Sequence, residues 1–525
     1  MTRSTLCTLI LCLCCTCTNA QDLGNGTYRN PVINSDYSDP DVCAAGRDFY
    51  MTASSFNCIP GLPVLHSTDL VNWSLIGHAL LRQPPYDHFS KVQHGGGVWA
   101  PSIRYHKNEF YIYYPDPDFG IYMIKAKAAR GPWSDPILVK AGKGIIDPCP
   151  FWDDDGRVYL IHAYAGSRAG IKSVLTLHHM NAAGTTVTDA GILVADGHPS
   201  NPTLEGPKLY KRNGYYYIFA PAGGVSTGWQ LILRSRKIEG PYEEKIVMDQ
   251  GSSPVNGPHQ GAWVTTNTGA DWFLHFQDKD AYGRVVHLQP MKWVNDWPLI
   301  GIDKDGDGKG EPVLTYKKPL NKGNIQTPPS SDEFNNSALG LQWQWQANPL
   351  PTWGMLSPAR GCLRLFSAKL PDSSHNYWEV PNLLLQKFPN DTFTVTTVCK
   401  FTPNPKLEGE RTGLIIMGTD YASLSLNHKF QLIYSTCKNA DKGYAETEEI
   451  ITTLSDSTCY FRVKVSEGAI CRFSYSKNGK DFTAVKETFT GKPGRWIGAK
   501  VGLFCTRPGQ TNDAGYADYN WFRIE

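Results

Sequence analysis

Short runs of alternating apolar and polar residues come in pairs along the chain, each pair joined by a Gly-, Asp- or Asn-rich turn. The unit recurs five times: "YSDPDVCAAGRDFYMTASSF" from Tyr37, "VWAPSIRYHKNEFYIYYPD" from Val98, "IIDPCPFWDDDGRVYLIHAY" from Ile145, "NPTLEGPKLYKRNGYYYIFAPAGG" from Asn201 and "PHQGAWVTTNTGADWFLHFQD" from Pro258. A period of two marks strands, and turn residues between two such runs mark hairpins. The roughly fifty- to sixty-residue spacing suits a propeller of four-stranded blades. Between hairpins lie outer-strand patterns such as "PVLHSTDLVNWSLIGHAL", where Asp69-Leu70 and Trp73 close a blade edge. Helical periodicity is almost absent. The pattern predicts an all-β chain with a five-bladed propeller over residues 28–325.

After the Pro/Ser-rich stretch around Gln326–Ser331 the character changes. "FTVTTVCKF", "RTGLIIMGTD", "CYFRVKVSEG" and "CRFSYSKNG" read as many short strands without blade spacing. They predict a β-sandwich of the concanavalin-like jelly-roll kind over residues 326–525. In that region "HNYWEVPN" (Tyr377, Trp378) is the candidate loop to rim a site on the propeller.

Composition narrows the partners. The 525 residues carry 51 Lys+Arg against 49 Asp+Glu, with no basic stripe for a phosphate backbone, so nucleic acid is not expected. Fifteen Trp and 26 Tyr suit sugar rings as well as β-rich cores. Residues 1–20 read as a signal peptide: Arg3, the apolar "LCTLILCLCC", then Thr18-Asn19-Ala20. No later run is long enough for an integral membrane segment. Export to a periplasm or the cell exterior is expected, with lipid anchoring at a leader cysteine as the second choice. Nine of the 14 Cys follow the leader, scattered and without a CxxC pair. That argues against a disulfide framework and a zinc site, leaving one or two bridges open and most thiols as small core residues.

In a propeller the innermost strands start at one face, so residues there converge on the axis. Asp39, Trp99, Asp147, Glu205 and His259 occupy those starts, three of them carboxylates. Alone, an Asp-Pro or Glu-Gly is better read as turn geometry; the repeated placement favours a site. Glycosidic bonds are hydrolysed by one protonated carboxyl and one ionised carboxylate. A third carboxylate beside the acid keeps it protonated by like-charge repulsion.

"YSDPDV", "GVWAPSIRYHKNEFYIYY", "IIDPCPFWDDDGRVYLIH", "LEGPKLYKRNGYYYIFAPAGG" and "GPHQGAWV" resemble the successive blade motifs of glycoside hydrolase family 43. "SDEFNNSALGLQWQWQANP" and "NLLLQKF" are similar to the sandwich appended to its β-xylosidase/α-L-arabinofuranosidase members. The resemblance implies an inverting glycosidase acting on terminal α-L-arabinofuranosyl or β-D-xylosyl residues of plant hemicellulose or pectic side chains. It implies Asp39 as general base, Glu205 as general acid and Asp147 as the residue tuning and orienting that acid. Trp99, Arg284, His259 and Phe56 are the implied sugar-binding residues. No cofactor is required, though a structural calcium at the propeller centre, met by His259 through water, fits the family. Asp41 departs from the Ser of many relatives and adds a carboxylate next to Asp39. The rival readings are a non-catalytic carbohydrate-binding propeller and a retaining fructan hydrolase, whose "WMNDPNG"-type motif is absent. "GIDKDGDGKGEPV" mimics a calcium loop at Asp303, Asp305 and Asp307, but its twelfth position is Leu314, so a surface turn is expected. His162, His178 and His179 lack zinc spacing and are expected to be structural.

Overall fold

The computed structural model describes residues 21–321 and 323–525; the leader lies outside them. Residues 41–300 form five antiparallel four-stranded sheets, each running outward in chain order. The first strands of the blades are Asp41–Ala45, Ser102–His106, Ile145–Trp152, Lys208–Arg212 and His259–Thr265; those of blades 1 and 2, 2 and 3, 3 and 4, and 5 and 1 lie against one another, and that of blade 5 lies against the second strand of blade 4. The five hairpins expected between first and second strands are present, including the turn after Trp152 in "WDDDGRVY", where the Asp153 amide donates to Arg157 O at 2.9 Å. Apolar residues from adjacent sheets pack between blades; Val64 and Leu80 of blade 1, for example, meet Ile103, Ile112 and Tyr114 of blade 2.

A ring of sheets must be sealed where the chain begins. The N-terminal segment does this along the third strand of blade 5, Arg284–Val294. Ile33 and Val286 exchange backbone hydrogen bonds at 3.3 and 3.0 Å, and the Tyr37 amide donates to Arg284 O at 2.9 Å. The Asn30 amide group donates to Leu288 O and Val313 O, both at 2.8 Å. An edge whose backbone groups would otherwise lack partners is thereby covered.

The axis of the propeller is plugged by polar side chains. Asp41, fully buried, accepts from the Ile103 amide and from Arg104 Nη1, both at 2.6 Å. Arg104 Nη2 donates to Cys149 Sγ at 3.0 Å. Lys208 Nζ crosses to Ser102 Oγ at 2.8 Å and Pro101 O at 3.1 Å, and lies 4.0 Å from Asp41 Oδ1. The Trp263 amide donates to Tyr210 Oη at 3.1 Å. These bonds lace blades 1 to 5 together below the site, so the carboxylate that departs from the family pattern serves the channel's interior.

The C-terminal part is a sandwich of two eight-stranded sheets. Burial alternates along Phe393–Thr402 and Thr458–Ser466, as one solvated face requires, and Trp343, Phe461, Leu503 and Phe522 sit in the core between the sheets. The two halves are joined by main-chain bonds: Ile59 and Trp345 exchange hydrogen bonds at 2.9 and 2.6 Å, and the Asn348 amide donates to Phe89 O at 2.7 Å. All nine cysteines after the leader are free thiols, eight of them buried, so the bridges left open by the sequence are not formed.

Substituting Asp41→Ala leaves the half-enclosed Arg104 guanidinium without its carboxylate, which costs about 3–5 kcal/mol. Urea unfolding should show that loss in Asp41→Ala and recover most of it in the double variant Asp41→Ala/Arg104→Met. Equal stability of wild type and Asp41→Ala would remove the ion pair from the fold's supports.

Candidate active site

Local backbone chemistry aims each carboxylate. Asp39 and Asp147 both precede a proline and both hold left-handed φ angles, 55° and 56°. Proline has no N–H for a ladder, and the register between Ile145–Trp152 and Val158–Tyr164 slips between Ile146 and Cys149, leaving Asp147 on a bulge. Asp tolerates this region better than most residues, though the conformation still costs of order 1–3 kcal/mol. The turn reading and the site reading of "DP" are therefore one fact: the turn points the carboxylate into the mouth. A second bulge, between His259 and Gly261, does the same for His259 and Gln260. Glu205 is set by its own amide, which donates to Pro221 O at 3.1 Å.

Asp39, Asp147, Glu205, His259, Arg284, Trp99 and Phe56, all inferred from the sequence, line one small cavity. Asp39 Oδ2 accepts from the Ser38 and Ser54 hydroxyls at 2.8 and 2.6 Å, while Arg284 Nη1 stands 3.4 Å from its Oδ1. Arg284 is itself held by Ser38 Oγ at 2.8 Å and lies over the Phe276 ring at 4.8 Å. Asp147 Oδ2 accepts from the Gly206 amide at 2.8 Å and from Gln260 Nε2 at 3.2 Å. Burial pushes the Asp147 carboxyl up to about 8, with the charge of Glu205 adding to the shift and the Gly206 hydrogen bond opposing it. The buried Asp147 carboxyl therefore resists ionisation. The Glu205 side chain, by contrast, keeps 23% of its surface open.

His259 Nε2 lies 2.9 Å from Glu205 Oε1. Its Nδ1 is buried without a partner among the described residues. Among the described residues, Glu205 is the carboxylate this ring meets. The one acidic cluster with metal-like spacing among the described residues is Asp303, Asp305 and Asp307, on an exposed loop. Its oxygens accept from the loop's own amides, Gly306, Asp307, Gly308 and Lys309, as a surface turn would. His162 and His178 face each other at 3.1 Å, and His178 and His179 share Asp189, a structural cluster within blade 3.

The sandwich does rim the site, but not through the segment expected. Tyr377 and Trp378 are buried within the sandwich, Tyr377 beside Tyr421 and Phe504, and Trp378 stacks on His94 at 3.5 Å. The ring of Trp378 is used at the domain contact and that of Tyr377 inside the sandwich. The residue that reaches the cavity is Trp496, in "GRWIG": it meets Trp99 edge-on at 6.2 Å and lies 5.8 Å from the Arg284 guanidinium. The loop is pinned to the propeller by the Gly498 amide on Asp36 Oδ2 at 3.0 Å and the Ala499 amide on Ala281 O at 2.7 Å. A tryptophan between two glycine-flanked turns was the available signal; nothing in a one-dimensional pattern ties it to blade 5. Ser38, Ser54 and Gln260, which hold the carboxylates, were equally silent.

Walled by Trp99, Trp496 and Phe56, the cavity measures about 120 Å³. That is the scale of a single sugar ring, well below the ~300–1,000 Å³ of pockets for drug-sized ligands. The arrangement, paired carboxyls at the blind end of a small aromatic-walled pocket, is that of a glycosidase. Residues 28–298 match the model of Glycosyl hydrolases family 43, and residues 331–525 match that of the beta xylosidase C-terminal concanavalin A-like domain. The chain belongs to glycoside hydrolase family 43. It is 32% identical to the beta-xylosidase of Formosa agariphila over 557 aligned positions, spanning 96% of this chain and 91% of that one. It is 29% identical to a non-reducing end alpha-L-arabinofuranosidase of Bacteroides ovatus, covering 95% of each. The solved structure of GH43B from the Bacteroides ovatus xyloglucan PUL superposes with a TM-score of 0.79 at 26% identity, over 95% of this chain and 99% of that one.

The raised Asp147 pKa has a consequence for stability. Asp147 binds its proton more tightly folded than unfolded, so its contribution is fully present below the unfolded value of 3.8 and is lost as pH rises toward about 8. Asp147→Asn cannot ionise and keeps an oxygen for the Gly206 amide. Thermal melts should place Asp147→Asn above wild type at neutral pH, with the gap closing as pH falls toward 3.8. A gap independent of pH would mean that Asp147 is not titrating there.

Proposed function

We propose that this chain is an inverting exo-glycosidase that removes terminal β-D-xylosyl or α-L-arabinofuranosyl residues from plant hemicellulose or pectic side chains. The observation that carries the reading is the placement of Asp39, Asp147 and Glu205 around one pentose-sized cavity. The family and the activities named for its relatives support the two sugars. The two present similar hydroxyl patterns to Arg284 and similar apolar faces to Trp99 and Trp496.

In this reading Glu205 gives its proton to the glycosidic oxygen as the bond to the anomeric carbon breaks. Asp39 takes a proton from the water that attacks the opposite face, so one C–O bond forms as the other is lost and the configuration inverts. Asp147 tunes and orients the acid, and its bond to the Gly206 amide fixes the acid's position in the chain. His259 orients the Glu205 carboxyl from its closed side. The enzyme acts outside the cytoplasm, as the leader pattern of residues 1–20 supports; no helix among the described residues is long and apolar enough to cross a membrane.

Proton NMR of the first-formed sugar from aryl β-D-xyloside and aryl α-L-arabinofuranoside tests both halves of the reading. An inverted product from either substrate is expected; a retained anomer would strip Asp39 of its role. The second test concerns the acid. Glu205→Gln should keep its fold and lose most turnover, about 10²–10⁴-fold, on natural glycosides, with a much smaller loss on substrates whose leaving groups need little protonation. Equal losses on both would show that Glu205 is not the proton donor.

A further inference from the structure

The propeller channel has a second mouth, at the far ends of the same five first strands. There the surface sinks into a cavity of about 500 Å³, lined by Ala44 of blade 1, Tyr105 of blade 2, Trp152 of blade 3, Lys211 of blade 4 and Trp263 and Thr265 of blade 5. Its walls are aromatic and held at fixed tilts. Trp152 stacks on His106 with centroids 4.6 Å apart and an angle of 12°, and is backed by Tyr111 at 5.1 Å. Trp263 is locked by its indole N–H on Asp271 at 2.8 Å and packs against Tyr210 at 5.1 Å. Tyr105 stands at the rim with 38% of its surface open. Nothing in the mechanism uses these residues.

The charges in the cavity are already spent. Arg104 is paired with Asp41 at 2.6 Å, and Lys211 with Asp153 and Asp154 at 2.5 and 2.9 Å. Burial lowers the pKa of His106, leaving a neutral ring whose Nε2 has no partner among the described residues. An ionic ligand finds no unpaired countercharge here. Fixed aromatic faces edged by hydrogen-bonding groups suit a neutral ring with one apolar face and a periphery of hydroxyls.

We propose that the rear mouth is a second saccharide site, holding an internal stretch of the neutral pentose polymer whose ends the front pocket shortens. This rests on the function proposed above, for the choice of polymer only. Asp147 and Trp152 lie on one strand five residues apart, about 17 Å at ~3.3 Å per residue, with the plugged channel between them. One sugar therefore never bridges both sites. A rear-bound chain instead keeps its branches and neighbouring ends at high local concentration near the front pocket.

Native electrophoresis through gels containing soluble arabinoxylan tests this, with excess xylose and arabinose present to fill the front pocket. Wild type should be retarded under these conditions. Tyr105→Ala, which removes the rim ring, and Ala44→Arg, which fills the mouth at an exposed position, should both run unretarded. Each should hydrolyse aryl pentosides at the wild-type rate, which certifies the fold. Retardation unchanged in both variants, retardation abolished by the free pentoses, or none at all would overturn the rear site. Aryl pentoside hydrolysis by wild type reports separately on the front-pocket reading, so the two can fail independently.

Discussion

The hydrogen bond from the Gly206 amide to Asp147 is the contact on which the arrangement of the mouth depends. It ties blade 4 to blade 3 one residue from Glu205, and so fixes the carboxyl that opens to the cavity against the one that is buried. The bond needs Gly206 at φ +60°, and a Cβ there would come within 3.0 Å of the Gln260 side chain, which also donates to Asp147. A buried carboxyl, an amide donor and a second carboxyl are thus packed around a backbone conformation that favours glycine. Their opposing effects, burial and like charge against hydrogen bonding, set how readily Asp147 gives up its proton.

Asp36 plays the matching part on the other side of the pocket. One of its oxygens accepts from the Arg284 amide at 2.9 Å and the other from Gly498 at 3.0 Å. The guanidinium beside Asp39 and the loop carrying Trp496 therefore share one anchor, although they belong to different domains. The sandwich is part of the pocket's wall, and its attachment through Ile59–Trp345 and Asn348–Phe89 is part of what keeps that wall in place.

Much of this was legible in the chain. Five hairpins at regular spacing gave the propeller, and residues at the starts of their first strands gave Asp39, Trp99, Asp147, Glu205 and His259, because in a ring of blades equal positions in the repeat become neighbours in space. Arg284 came from resemblance, since it sits on a third strand and shares no repeat position with the others. Trp496 was hidden because it arrives across a domain interface, set by contacts more than 200 residues apart in sequence, such as Gly498 with Asp36. Tyr377 and Trp378 misled for a related reason: two adjacent aromatics suit a sugar platform as well as they suit a core and an interdomain contact, and burial decides between them. The direction of Asp41 was also unreadable, because Asp39 lies before the paired stretch in left-handed backbone, which breaks the alternation that would relate the two side chains.

The plugged axis makes the front pocket a well with a single opening. A sugar cut loose at its bottom has the rest of the chain lying above it, so the shortened chain must depart before the sugar leaves. Sliding onward to the next unit is closed off by the Asp41–Arg104 pair and Lys208 beneath. Whatever enters the front pocket must therefore leave by the mouth it came in through, so departing product and arriving substrate share one passage.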